Sequence, residues 1–374
     1  MNIAIITDWL TNYGGAESVI SAFHDLFPKA PIYTTMYKPK DMRELGAPDV
    51  QKLVKTSWLQ NIPFVKHQWM LGQMPVAVEM MDLDDYDIVL SSCHSVSKGV
   101  ITKPNTLHIC YCHTPMRYAW EEWDLETRLK KFPKILHGTI RKQIKKIREW
   151  DYCAAQRVDK YIANSSHIAW QIQKHYGRDA DVIYPPVHTE KFKPAAHPKN
   201  DYYFSIGRLI PYKKFDLLVE TFNQLGLKLK IAGTGPDLQK IKAMAKGNVE
   251  ILGSVSDAEL ADLYANCRGL LFPQIEDAGI VPLEAMSAGR PVIALSRGGS
   301  LDVMEEGKTG VFFEEQTVES LTDAIQQFEK MDFDSHQIRE HAMQFDVEVF
   351  KRKIKEYIDS SLPNFNKLEY SIDV

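Results

Sequence analysis

The sequence predicts an α/β chain of two doubly wound parallel domains facing a central cleft, and three observations predict it. Short continuous apolar runs alternate with helical stretches, the mark of parallel strands buried on both faces. The alternation breaks at a polar, proline-containing stretch and then restarts. The 374 residues are enough for two domains, and a hydrophobic content of 44% supplies both with cores.

In the first half, strand-like runs lie at Asn2 to Thr7, Ile32 to Met36, Ile88 to Ser91, Leu107 to Cys112, Tyr161 to Asn164 and Val182 to Tyr184. After the first of them, Asn12-Tyr-Gly-Gly-Ala-Glu17 opens an amphipathic helix with Val19, Ile20, Phe23 and Phe27 on one side. Pro185-Pro186 and the polar residues to about Asn200 read as the linker. Strands then recur at Tyr202 to Ile206, Lys228 to Ala232, Val249 to Leu252, Gly269 to Phe272, Val292 to Leu295 and Gly310 to Phe313. Helices are expected at Phe215 to Leu225, Asp257 to Ala265 and Leu283 to Ala288. The last, Phe345 to Ile358, carries Phe350, Ile354 and Ile358 at spacing four. The expected domains are therefore 1–186, completed by a C-terminal helix at 345–361, and 187–344, with a tail at 362–374.

Charge and cysteine content narrow the function classes. The 45 Lys and Arg against 49 Asp and Glu give a net charge of -4, which disfavours a nucleic-acid partner. Nine of those basic residues fall between Arg128 and Arg148, where there is no acid. Phe132, Ile135, Leu136, Ile140, Ile144 and Ile147 recur there at threes and fours, so 138–148 reads as a basic amphipathic helix. It is either packed with its lysines solvated or lies on an anionic membrane surface through Arg141, Lys142, Lys145 and Lys146. Five cysteines without a C-x-x-C pair fit a reducing cytoplasm. No signal peptide or spanning run is evident.

Four pieces carry chemistry. Ser205-Ile-Gly-Arg-Leu-Ile-Pro-Tyr-Lys-Lys214 ends a strand in Gly207 and Arg208 and places Lys213 just before a helix. Two fixed cations and a helix start can converge on a diphosphate. Ala232-Gly-Thr-Gly-Pro-Asp237 is a glycine turn at Gly233 through which backbone can approach a ligand. Phe272-Pro-Gln-Ile-Glu-Asp-Ala-Gly-Ile-Val-Pro-Leu-Glu-Ala-Met286 sets Glu276 eight residues before Glu284, with Glu284 expected in the first turn of a helix. Such carboxylates accept hydrogen bonds from sugar hydroxyls, and amides near Gly279 and Ile280 can hold phosphate. Finally, Gly14 and Gly15 lie past the first strand, at the usual ligand crevice of an α/β sheet. Asp82-Leu-Asp84 reads as an exposed acidic turn rather than a metal site, and strand alternation separates Cys110 and Cys112 from His113.

With these residues the chain resembles the retaining sugar-nucleotide glycosyltransferases of family 4, which have the GT-B fold of two Rossmann-like domains. The resemblance rests on Glu276-x7-Glu284 within E-D-A-G-I-V-P-L-E-A-M-S-A-G-R-P-V-I-A, together with G-R-L-I-P-Y-K, A-G-T-G-P, the N-terminal Gly-Gly and N-S-S at Asn164 to Ser166. The run from Ile109 to Trp120 looks like the mannosyltransferase branch that builds O-antigen and other surface polysaccharides.

The resemblance implies that Arg208 and Lys213 neutralise the donor diphosphate, that Glu284 holds the ribose, and that Glu276 with Asp277, Ala278, Gly279 and Ile280 grips the donor sugar. It also implies that Gly14 and Gly15 approach the phosphates or the reacting centre when the cleft closes, and that His113 reaches the donor sugar from the other domain. Asp277-Ala278 replace the more usual Gly-Phe, which leaves the sugar contacts open. Leu252, Gly253, Ser254 and Val255 are the expected base-binding segment. The implied reaction is retaining hexose transfer without metal or cofactor, mannose from GDP-mannose, to a lipid-linked or growing saccharide, by a cytoplasmic enzyme peripheral to the inner membrane face. A UDP-sugar transferase of the same family, a non-hydrolysing 2-epimerase and an idle nucleotide-binding scaffold are the alternatives.

Overall fold

The computed structural model describes residues 1–62, 70, 72–130 and 132–369. It divides into two compact units, Met1–Tyr184 with Phe350–Val374, and Pro185–Val349.

The first unit is built on seven strands: β1 (Ile3–Thr7), β2 (Ile32–Thr34), β3 (Val54–Thr56), β4 (Ile88–Cys93), β5 (Leu107–Cys112), β6 (Lys160–Ala163) and β7 (Asp181–Val182). They are all parallel, in the order β3-β2-β1-β4-β5-β6-β7. Strands β1, β4 and β5 are buried at every position, as their mainly apolar runs require, and the polar Ser91 and His108 are buried paired with each other at 2.8 Å. Strand β3 escapes the sequence pattern because it is an exposed-to-half-buried edge reading Val54-Lys55-Thr56. Since β1 pairs with both β2 and β4, the winding reverses between β1 and β4, and their carboxyl ends form the ligand crevice of such a sheet.

Helix α1 (Gly15–Leu26) packs Val19, Ile20 and Phe23 inward. Phe23 stacks on Phe350 at 6.0 Å and meets Tyr111 edge-on at 6.1 Å. Phe350 comes from the last helix, Val347–Glu369, whose Ile354 and Ile358 are also buried. That helix is held further by Lys351 to Asp25 at 2.7 Å and by the Tyr357 hydroxyl donating to Asp181 at 2.8 Å. The helix continues through 362–369, where a tail is expected; 370–374 lie outside the described residues. The basic segment runs from the end of an acidic helix, α2 (Glu122–Leu129), through a turn at Lys134–Leu136 into α3 (His137–Gln156). Lys131 lies outside the described residues.

The second unit holds β8 (Tyr203–Ile206), β9 (Leu229–Ala232), β10 (Val249–Gly253), β11 (Leu270–Phe272), β12 (Val292–Leu295) and β13 (Gly310–Phe313). The parallel order is β10-β9-β8-β11-β12-β13, so the winding reverses between β8 and β11. Helices at Phe215–Leu225 and Val318–Phe328 bury Leu218, Phe222, Leu321 and Ile325 in the same core as Ile231, Ile293 and Val311. Among the described residues, no helix is long and apolar enough to cross a membrane.

Candidate functional site

The carboxyl ends of β8, β9 and β10 are laced together by backbone. The Gly207 amide donates to Ala232 O at 3.1 Å, the Leu209 amide to Thr234 O at 2.9 Å, and the Gly233 amide to Gly253 O at 2.6 Å. The approach is close enough that a Cβ on Gly233, where φ is +133°, would stand 1.9 Å from Gly207 O. Only glycine fits there. The result is an open depression of about 510 Å³ lined by Ile206, Gly207, Arg208, Gly233, Thr234, Gly235 and Pro236. That volume suits a nucleotide-sized ligand. Arg208 is exposed at its rim. Of the expected base-binding residues, Leu252 and Gly253 end β10, and Ser254 and Val255 follow it.

Lys213 ends a single turn, Pro211–Lys213, and its side chain folds back over Gly207. Its Nζ lies 2.9 Å from Glu276 Oε1, with the two side chains only 15% and 22% exposed. Glu276 Oε1 is buried yet accepts no hydrogen bond, so the ammonium supplies countercharge without bonding alignment.

The loop carrying Glu276 is clamped by a glycine pair that the sequence reading passed over. Gly299 donates its amide to Glu276 O at 2.8 Å. A Cβ on Gly299 would lie 2.6 Å from Ala278 Cα, and one on Gly298 2.6 Å from Glu276 O. The signal was present as Gly-Gly shortly after β12, the same pattern noted as Gly14-Gly15 after β1.

Two details of this segment correct the sequence reading. Helix α4 (Ile280–Ser287) starts three residues before the expected Leu283. Pro282 sits within its first turn, where no intrahelical N–H is needed, so proline marks the start of this helix and not a break before it. Glu284 consequently lies in the second turn. The Ile280 amide donates to Ala278 O at 2.6 Å and is engaged within the loop rather than presented to a phosphate.

Glu284 is held from behind. Tyr264, fully buried on the helix Asp257–Asn266, donates its hydroxyl to Glu284 Oε2 at 2.9 Å. Burial and the Glu284 charge push the phenol well above its ordinary pKa, so it remains a donor throughout the neutral range. The sequence offered no sign of this pairing.

In the first unit, Asp8 follows β1 and is wholly buried. Its carboxylate accepts the amides of His94, Ser95, Val96 and Ser97 at 2.7, 3.0, 2.5 and 2.7 Å, and lies 3.0 Å from His94 Nδ1. It thus fixes the loop after β4. Gly14 caps α1 without a side chain, and Glu17 in the first turn is buried, its carboxyl pushed above the usual range chiefly by desolvation. His113 follows β5, where its Nε2 lies 2.8 Å from Ser92 Oγ and its carbonyl accepts from Asn164 at 3.0 Å. Burial and neighbouring His94 push its imidazole down to about 3, so it is neutral at physiological pH. Asp82 and Asp84 form an exposed turn, with the Asp84 amide on Asp82 Oδ1 at 3.2 Å.

Of the four basic residues expected to face a membrane, Lys142, Lys145 and Lys146 are exposed. Arg141 is drawn aside: it pairs with Glu122 at 2.7 Å and with Glu126.

Comparison with known proteins bears on what this arrangement serves. The glycosyl transferases group 1 profile matches residues 187–345, and the glycosyltransferase family 4 profile matches 13–191. An uncharacterized glycosyltransferase of Methanocaldococcus jannaschii is 30% identical over 251 residues, 63% of this chain and 69% of that protein. A GDP-mannose-dependent alpha-(1-6)-phosphatidylinositol monomannoside mannosyltransferase of Mycobacterium tuberculosis is 31% identical over 193 residues, 43% of this chain and half of that protein. Among solved structures, the Anabaena protein HepE in complex with UDP and glucose superposes with a TM-score of 0.71 at 18% identity, over 96% of this chain and all of that one. That likeness is one of fold, and the fold is GT-B.

Proposed function

The chain belongs to the group 1 and family 4 glycosyltransferases, and from that premise we propose that it transfers mannose from GDP-mannose, with retention, to a lipid-linked or growing saccharide. The observation that carries the transfer reading is the Lys213–Glu276 pair, 2.9 Å apart, with Lys213 folded over Gly207 at the edge of the depression past β8 and β9. A cation and a carboxylate adjoin there, one suited to a diphosphate and the other to sugar hydroxyls. The mannose reading is supported by the mycobacterial relative, which is named for GDP-mannose.

In this reading the bond from the anomeric carbon to the diphosphate oxygen breaks, and its electron pair stays with the diphosphate. Lys213 and Arg208 stabilise the charge that develops there. Glu276 positions the sugar and faces the cationic character at the anomeric carbon. The acceptor hydroxyl attacks from the side of the departing diphosphate, whose oxygen takes the proton. Glu284, held by Tyr264, binds the ribose.

The test uses Lys213→Ala and Glu276→Ala. Lys213→Ala should weaken GDP binding in titration calorimetry, and Glu276→Ala should keep GDP binding while abolishing mannosyl transfer to a lipid-extract acceptor. Full transfer by both folded variants refutes the reading. Thermal shift by UDP-glucose or UDP-N-acetylglucosamine, with none by GDP-mannose, refutes the donor and leaves the transferase standing.

A further inference from the structure

Three histidines lie on or just past β4 and β5, and of the three His94 alone combines a fixed ring with access to solvent. His108 is wholly buried, with Nε2 2.8 Å from Ser91 Oγ. His113 is only 8% exposed, and its Nε2 meets Ser92. The His94 side chain is 28% exposed, with Nδ1 3.0 Å from Asp8 Oδ2. Among the described residues its Nε2 has no hydrogen-bond partner, and it is not a buried atom.

Asp8 does the fixing. Its Oδ1 accepts the amides of Val96 and Ser97, and its Oδ2 those of His94 and Ser95, so the carboxylate acts as an acceptor on every side. The imidazole therefore turns Nδ1–H toward Asp8, and Nε2 of the neutral ring keeps its lone pair. Trp9, half-buried, meets the ring edge-on with centroids 4.6 Å apart and walls one side of it. Four amides already hold the loop after β4 to Asp8, so the His94 ring is a fifth donor that the loop does not need.

The place is the carboxyl end of β1 and β4, where the winding reverses. Glu17, buried in the first turn of α1, and His113 are the other titratable groups that feel the His94 charge. With Asp8 and Glu17 close by, an anion is disfavoured as the ligand of Nε2. An imidazole lone pair beside an indole suits a neutral, hydroxyl-bearing ring, whose C–H bonds lie against the aromatic wall while a hydroxyl donates to nitrogen.

We propose that His94 is a saccharide-binding residue of the first unit, its Nε2 accepting a hydrogen bond from a sugar hydroxyl while Asp8 positions the ring. The ligand class rests on the transfer reading. The hydroxyl held by His94 is not the attacking one, whose proton goes to the departing diphosphate, so His94 orients the sugar and moves no proton.

The experiment is long-range ¹H–¹⁵N NMR of the full chain labelled with ¹⁵N-histidine, the His94 signals being those missing from His94→Gln. The free protein should show His94 with its proton on Nδ1. Methyl α-mannopyranoside, methyl α-glucopyranoside and GDP-mannose are then titrated separately. Movement of the Nε2 resonance with a methyl glycoside supports contact with an acceptor sugar, and movement with GDP-mannose alone supports contact with the donor sugar. His94→Ala should bind whichever saccharide moves Nε2 about fivefold more weakly. It should keep wild-type GDP affinity and melting temperature, because the four amide bonds to Asp8 remain. No movement of Nε2 with any of the three saccharides overturns the proposal, as does equal saccharide affinity in wild type and His94→Ala. A proton found on Nε2 instead of Nδ1 also overturns it. The glycoside titrations need no nucleotide, so failure of GDP-mannose to bind refutes the proposed donor and leaves the His94 test standing.

Discussion

Replacing Tyr264 with phenylalanine removes one hydroxyl and leaves the ring. The ring is gripped edge-on by Phe192 at 5.3 Å and by Phe204 at 5.4 Å, so Tyr264→Phe should repack without a shift. What is lost is a 2.9 Å bond from a wholly buried neutral donor to a carboxylate. Bonds to charged groups contribute about 1.5–3 kcal/mol net. If the phenol serves to orient Glu284 toward a ribose, the lower figure corresponds to roughly tenfold weaker nucleotide binding. If it serves only the fold, the same loss appears as a fall of about 3–6 °C in melting temperature, with no ligand specificity.

Titration calorimetry with GDP and with 2′,3′-dideoxy-GDP separates the two. Wild type should lose about tenfold or more when the ribose hydroxyls are absent, and Tyr264→Phe, already weak for GDP, should lose little further. A variant that binds GDP as well as wild type, and still discriminates the dideoxy analogue as strongly, refutes the reasoning. Since the phenol is held well above its ordinary pKa of 10, wild-type GDP binding should show no loss of this bond between pH 6 and 9. Stability should decline only as pH rises past 10, where the unfolded chain's phenol ionises and the folded one does not.

Other perturbations probe the two units separately. His108 and His113 are both pushed down to about 3 by burial, against an unfolded value near 6.5. Their stabilisation is complete above about pH 6.5 and is lost as pH falls toward 3, by up to about 1.4 kcal/mol per pH unit for each group. Thermal melts from pH 7 to 4 should show that limb, and His108→Asn should flatten it; an unchanged limb refutes the assignment. Asp151 and Lys98 form an ion pair with both side chains almost wholly buried, and Asp151 also accepts from Trp120 and Tyr176 at 2.7 Å. Asp151→Asn should cost about 3–5 kcal/mol in urea unfolding, and adding Lys98→Met should recover part of it. Gly299→Ala drives a Cβ to 2.6 Å from Ala278 Cα, so the Glu276 loop must move and GDP-mannose should bind more weakly. Gly138→Ala, with no atom within 4 Å of its new Cβ, is the control and should melt no lower than wild type.

The residues legible in the sequence are those whose work is done by local backbone. Gly207, Gly233 and the Glu276–Glu284 spacing follow strand ends, and strand ends are readable from runs such as Leu270-Leu271-Phe272 because burial on both faces leaves an unbroken apolar signal. The winding reversals that give those ends their meaning are not readable, since strand order is set by pairings between distant segments, as when β1, ending at Thr7, takes as its partner β4, which begins only at Ile88. The same limit hid Asp8, whose four amide donors lie 86–89 residues away, and Tyr264, whose carboxylate partner lies 20 residues on.

The basic segment shows the converse error. A window count treats Arg141 as equal to Lys142, but folding the acidic helix α2 alongside turns Arg141 toward Glu122 and Glu126 and holds its guanidinium above its usual pKa. Local sequence therefore overstates the free charge and understates the apolar exposure at Ile135, because Ile135 looks like one more turn of a buried stripe until the helix is seen to start after it, at His137. Charge reversal at Arg141 should accordingly break an ion pair within the unit and lower the melting temperature, while reversal at the exposed Lys142, Lys145 and Lys146 should leave it nearly unchanged. A melting-temperature change in the lysine triple as large as that in Arg141→Glu would show that the two sets of cations do not differ in the way the structure assigns.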